Sequence, residues 1–121
     1  MSKGGQRCPL ILKASPVTIA YGQEVTGHLD FADDYEDWKF AGTAGDTVTI
    51  HTTQDGGVSL HPGLKLFDPS NTLVAQGDPS SSQYSDYYIK NYQLSFSGVY
   101  TIRVYGGSTT GGYKLSLALI P

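Results

Sequence analysis

The sequence predicts an all-β fold, a single-domain antiparallel β-sandwich or jelly roll of about eight or nine short strands. Two patterns carry that expectation. Apolar and polar residues alternate at period two in several stretches, the signature of strands with one face on a core and one in water. Between those stretches stand clusters of Gly, Pro, Asp, Asn and Ser, the residues that tight turns require. A third observation agrees: no window sets apolar residues at i, i+3, i+4 and i+7 among helix formers, so no helix of ordinary length is legible.

Taken along the chain, Val17–Ala20 and Glu24–Leu29 are the first candidate strands, and Asp37–Ala41 follows, with Trp38 beside Phe40 read as core. After the turn Ala44-Gly45-Asp46, Val48 and Ile50 alternate with Thr47, Thr49 and His51. Leu64–Asp68 and Leu73–Gln76 flank the turn Asp68-Pro69-Ser70-Asn71, and Gly77-Asp78-Pro79 reads as a further turn. Ile89–Leu94 comes next. Beyond Ser97-Gly98, Tyr100, Ile102 and Val104 face one way while Thr101 and Arg103 face the other. Past Gly106-Gly107, Tyr113, Leu115, Leu117 and Leu119 form one row against Lys114, Ser116 and Ala118. A two-sheet sandwich and a small closed barrel share this local pattern, and periodicity does not separate them.

The 121 residues fit one domain: residues 1–14 read as a linker or tag remnant and 15–121 as the folded unit. With 39% apolar and 16% charged residues, the chain is too apolar and too weakly charged for disorder. A formal charge of −3 and the absence of any Lys/Arg block argue against nucleic acid and anionic membranes as partners. The apolar runs are far shorter than the roughly 18 residues a membrane span needs. Cys8 is the only cysteine, which excludes an internal disulfide, and no signal peptide is visible.

Several segments, in order, resemble one family. Ile19-Ala20-Tyr21-Gly22-Gln23-Glu24-Val25-Thr26-Gly27 is similar to its opening "I..Gq.v.G", and Asp37-Trp38-Lys39-Phe40 to its "D.y.F" strand. Ala44–Ile50 resembles "aGd.v.I", and Pro62–Asn71 resembles "dp.L.L.dp.g". Ser97–Val104 is similar to "sGtYtirV" and Gly112–Leu115 to the closing "G.Y.L". These segments look like the bacterial pre-peptidase C-terminal domain, a family that includes the collagen-binding domains of clostridial collagenases. The resemblance implies a non-catalytic domain of extracellular enzymes, often removed on maturation, which in some relatives binds the insoluble substrate or holds calcium. It implies an extracellular, secreted location within a longer precursor, and a parent enzyme domain as partner.

Two groups of residues are candidate sites. The acidic cluster Asp30, Asp33, Asp34, Glu36 and Asp37 lies between two candidate strands, where crowded carboxylates repel unless a cation joins them. Asp34 and Asp37, with Asp78 and Asp86 flanking a second loop, are the candidate calcium ligands, against the alternative of a solvated acidic turn. Asp37 is the one that matches the family's motif. Tyr84, Tyr87, Tyr88 and Tyr92, joined by Tyr105 from a later strand, are the candidate ligand-binding platform, since tyrosine offers rigid, amphipathic contact area. Alternation assigns Tyr88 and Tyr92 to one face, and some of these rings could equally be core.

Enzyme templates find no match. His28, His51 and His61 are scattered without metal-ligand spacing, and neither an H-E-x-x-H nor a G-x-S-x-G motif occurs. The expected function is therefore a non-catalytic accessory domain binding a collagen-like protein or a polysaccharide. A carbohydrate-binding module proper, and a structural spacer or maturation domain, are the alternatives.

Overall fold

A computed structural model describes residues 17–55, 60–79 and 86–121. In chain order the strands are β1 (Val17–Thr18), β2 (Gln23–Leu29), β3 (Tyr35–Gly42), β4 (Thr47–Asp55) and β5 (Gly63–Phe67). They continue with β6 (Leu73–Gln76), β7 (Asp78–Pro79), β8 (Asp86–Gln93), β9 (Gly98–Tyr105) and β10 (Gly111–Ile120). Sheet A has the order β1-β3-β9-β5-β6 and sheet B the order β2-β10-β4-β8-β7. Two open sheets decide for the sandwich over the closed barrel. Every pairing is antiparallel except β1 on β3.

The inward rows are those the alternation marks. Tyr100, Ile102 and Val104 of β9 face Tyr113, Leu115 and Leu117 of β10 across a core completed by Val48, Ile50, Leu64 and Leu66. Removing each such aliphatic side chain from water contributes about 1.5–3 kcal/mol, which is what holds the two sheets face to face. Trp38 is 8% exposed and Phe40 stacks on Tyr100 with ring centroids 5.4 Å apart, so both belong to the core as expected. Leu119 departs from its row: β10 runs past the end of the core there, leaving that side chain 45% exposed.

Turn chemistry works as the sequence suggests. Gly45 takes φ 93°, a left-handed conformation that other residues reach at a cost, and lets Ala44-Gly45-Asp46 reverse the chain. In the β5–β6 connection Asp68 Oδ1 accepts from Ser70 N at 2.9 Å, Ser70 Oγ at 2.7 Å and Thr72 N at 3.0 Å. These bonds, the Ser70 hydroxyl foremost, hold the Asp68 carboxyl below its ordinary range.

Two features depart from the sequence reading. Asp78-Pro79, read as turn, is the short strand β7 paired with Tyr88 and Tyr87, and it sits at the sheet edge, where a proline without an N–H is tolerated. In β8, Lys90 and Asn91 together oppose the single residue Thr49, because Val48 pairs with Tyr92 and Ile50 with Ile89. This is a β-bulge, with Asn91 at φ 54°.

Candidate binding face

Parity along three neighbouring strands builds one surface. With Trp38 and Phe40 inward on β3, Tyr35, Asp37, Lys39 and Ala41 point outward. The same rule turns Val99, Arg103 and Tyr105 of β9, and Lys65 and Phe67 of β5, to the outside of sheet A. Register then stacks them in rows: Tyr35 beside Tyr105, and Asp37 beside Arg103 beside Lys65.

Arg103 organises this face. Its Nε donates to Asp37 Oδ1 at 2.8 Å and its Nη2 to Asp37 Oδ2 at 3.0 Å, a bidentate pair. The guanidinium also lies 4.3 Å from the Tyr35 ring centroid and 5.1 Å from that of Phe67. The hydrogen bonds that Arg103 donates to Asp37, ahead of every other influence, raise the Arg103 pKa above its ordinary value. At this partial exposure the ion pair and each cation–π contact are worth about 0.5–1 kcal/mol apiece, enough to fix the rings in place rather than to hold the fold.

Tyr105 is fixed differently. A Cβ at Gly63 would lie 2.6 Å from Tyr105 Cζ and 2.9 Å from both Cε atoms, so the ring occupies the place of a side chain and lies across the strand. Lys65 Nζ stands 4.9 Å from its centroid. Toward β1 the face deepens into an open groove of about 550 Å³, lined in part by Ile19, Tyr21, Lys39, Ala41 and Val99. Lys39 Nζ donates to Thr101 Oγ1 at 2.8 Å, and Val99 is 54% exposed.

The model of the bacterial pre-peptidase C-terminal domain matches residues 34–106, which spans β3 to the end of β9. The chain belongs to that family. Among solved structures, the pre-peptidase C-terminal domain of a Bacillus anthracis collagenase superposes with a TM-score of 0.71 at 18% identity, covering 88% of this chain and 98% of its own. The periplasmic inhibitor of g-type lysozyme from Aeromonas hydrophila gives 0.61 at 17% identity over 86% of this chain and 96% of its own. The Salmonella Typhimurium inhibitor gives 0.56 at 14% identity over 86% and 99%. At these identities the likeness concerns the fold. No curated protein matches significantly in sequence.

Against the expected site residues, the pre-peptidase domain separates what the sequence grouped. Tyr84 lies outside the described residues. Tyr87 and Tyr92 pack against the core from β8, and burial raises the pKa of Tyr92. Tyr88 points outward from sheet B, stacked on His51 at 4.2 Å between centroids with Lys90 Nζ at 4.8 Å from its ring. The expectation that Tyr88 and Tyr92 share a face is therefore corrected, because the extra residue of the bulge reverses the alternation between them. Tyr105 sits on the opposite sheet, so it does not join the β8 tyrosines.

The acidic cluster of the pre-peptidase domain resolves into separate commitments. Asp34 is buried and accepts from Asp30 N at 2.8 Å and Tyr35 N at 2.9 Å. Asp30 Oδ1 lies 2.7 Å from His28 Nδ1, Glu36 accepts from Tyr113, and Asp37 holds Arg103. Asp78 and Asp86 stand on the adjacent strands β7 and β8, with Asp86 Oδ1 3.9 Å from His51 Nε2. The four candidate ligands thus split, Asp34 and Asp37 at sheet A and its loop, Asp78 and Asp86 on sheet B. Among the described residues no three of His, Cys, Asp and Glu come together in a way that could hold a metal ion.

Sequence reasoning passed over Tyr35, Lys65, Phe67 and Arg103. The signal was present: each is a large aromatic or cationic residue at outward parity in a strand whose inward row is unambiguous.

Proposed function

We propose that the chain is a non-catalytic accessory domain of a secreted bacterial enzyme, and that it keeps its parent enzyme on a polymeric substrate through the outer face of sheet A. The observation that carries this reading is the set of rings held in place on that face, Tyr35, Phe67 and Tyr105 around Arg103. Tyr35 is 39% exposed although it contributes nothing to the core, a position for contact with something outside the molecule. Membership of the pre-peptidase family supports the accessory role and the extracellular location.

Co-sedimentation of the chain with fibrillar collagen, chitin, starch, cellulose and insoluble calcium pectate tests the proposal. Retention on one polymer is expected, with Tyr35→Ala and Phe67→Ala weakening it while the melting midpoint changes little. Retention on none of them would leave a spacer or maturation role and would sink the targeting reading.

A further inference from the structure

The geometry points to an anionic polysaccharide, a uronic-acid-rich glycan, as the ligand of the sheet A face. This rests on the proposed binding role of that face and names the chemistry of what it takes.

Charge is distributed unevenly over the two faces. The chain carries eleven carboxylates against eight lysines and arginines, a formal −3. Among the outward side chains of β3, β5 and β9 the order is reversed: Lys39, Lys65 and Arg103 stand there against Asp37 alone, Glu36 being turned inward to Tyr113. The other described cations, Lys90 and Lys114, lie on sheet B. Asp37 is already consumed by its bidentate pair with Arg103, so the ammonium groups of Lys39 and Lys65 have no carboxylate facing them on these strands. Lys39 is held by a neutral hydroxyl, and Lys65 by the face of a ring. Both contacts orient the ammonium without cancelling its charge.

The rings say what carries the negative charge. Tyr105 lies across Gly63, in the space a side chain at 63 would fill, which makes the ring part of the floor of the face rather than a projecting anchor. A flat aromatic floor with an ammonium beside it suits a pyranose ring, whose C–H face packs on the aromatic while its carboxylate meets the cation. An acidic protein segment would instead call for pockets matched to individual side chains. Single-stranded nucleic acid stacks its bases on such platforms along a groove whose cations track successive phosphates, whereas this face offers three cations, one of them already paired with Asp37. The groove beside Lys39 and Val99 extends the surface past a single sugar, so a polymer rather than a monosaccharide fits it.

Affinity electrophoresis of the whole chain in native gels tests the inference, with soluble polygalacturonate as the probe. Hydroxyethylcellulose and gelatin serve as the neutral-sugar and protein comparators. Because the chain itself is acidic, a polyanion gains nothing from its net charge, and any retardation reports a local face. Retardation is expected in polygalacturonate. It should weaken about tenfold in the double variant Lys39→Gln/Lys65→Gln and fade in 1 M salt, where screening acts beyond about 3 Å. Melting of the double variant and of Lys65→Gln alone, with midpoints near that of the parent, separates lost binding from lost folding. Retardation by polygalacturonate that ignores both lysine variants overturns the inference. So does equal retardation by hydroxyethylcellulose, or retardation by gelatin alone, though in these last two cases the sheet A binding role survives. No retardation in any gel overturns the inference too, and retention or loss of the chain on the insoluble polymers then decides whether the binding role stands.

Discussion

Trp38 Nε1 donates to the Tyr113 hydroxyl at 2.8 Å, and this bond spans the sandwich, since Trp38 lies on β3 of sheet A and Tyr113 on β10 of sheet B. The same hydroxyl donates to Glu36 Oε1 at 2.5 Å, and Glu36 also accepts from His28 N at 3.3 Å. Burial first, and then the Glu36 carboxylate, push the Tyr113 pKa well above its ordinary value, so the phenol stays protonated and keeps donating. A polar bridge of this kind inside an apolar core fixes how the two sheets register on one another.

Tyr113→Phe should therefore cost about 2–3 kcal/mol, because it leaves the indole N–H without an acceptor and the carboxylate without its best donor. In a domain of this size that lowers the melting midpoint by roughly 10 °C. Glu36→Gln, which keeps an acceptor oxygen, should cost less. Equal and small effects from both would mean that the bridge carries no weight.

Gly63→Ala probes the platform. The new methyl would meet the Tyr105 ring at 2.6 Å, so the ring must lift away from the strand. A loss of about 1 kcal/mol is expected, together with a changed near-ultraviolet circular dichroism signal and weaker polymer binding. Unchanged spectra would show that the ring does not rest there.

Tyr21 sets an alkaline limit. Its hydroxyl donates to Asp46 Oδ2 at 2.9 Å, and burial, followed by that carboxylate, pushes its pKa up to about 12. The unfolded chain releases this proton near pH 10, so the folded state binds more protons between pH 10 and 12. The stabilisation is complete below pH 10 and is lost as pH rises through about 12. Tyr21→Phe should be about 1 kcal/mol less stable at neutral pH, and the gap to the parent should close across that window. A gap that stays constant to pH 12 contradicts the assignment.

Calcium should leave the melting midpoint unchanged. Asp34 is occupied by backbone N–H groups and Asp37 by Arg103, and the two remaining candidates, Asp78 and Asp86, fall far short of the six to eight oxygens the ion takes. A bound ion at a hundredfold excess over Kd would add about 2.7 kcal/mol, a shift of several degrees. Such a shift, abolished by Asp86→Asn, would assign the ion to the β7–β8 end.

The inward rows and most turns were legible because each depends on a few neighbouring residues: Tyr100-x-Ile102-x-Val104 states its own parity, and Asp68-Pro69-Ser70-Asn71 its own reversal. Strand order was not legible, since β10 lies between β2 and β4 through pairings that no local pattern encodes. The β8 bulge was missed because Lys90-Asn91 carries no glycine to announce a left-handed residue, and that one irregularity decides where Tyr92 points. The candidate face on sheet A was half legible. Tyr105 was singled out, but its partners Tyr35 and Phe67 come from strands distant in sequence, brought alongside only by the pairing of β3 and β5 with β9.

That pairing scheme also governs when the molecule can form. β9, at the centre of sheet A, and β10, between β2 and β4 in sheet B, are the last two strands in sequence. Without them β2 has no partner, and β3, β4 and β5 each lack one of two: β3 and β5 wait for β9, β2 and β4 for β10. Neither sheet closes before both strands are present, and folding dominated by such long-range pairings is slow. A chain still short of β9 and β10 exposes apolar rows and unpaired strand edges, the state most open to proteases and aggregation.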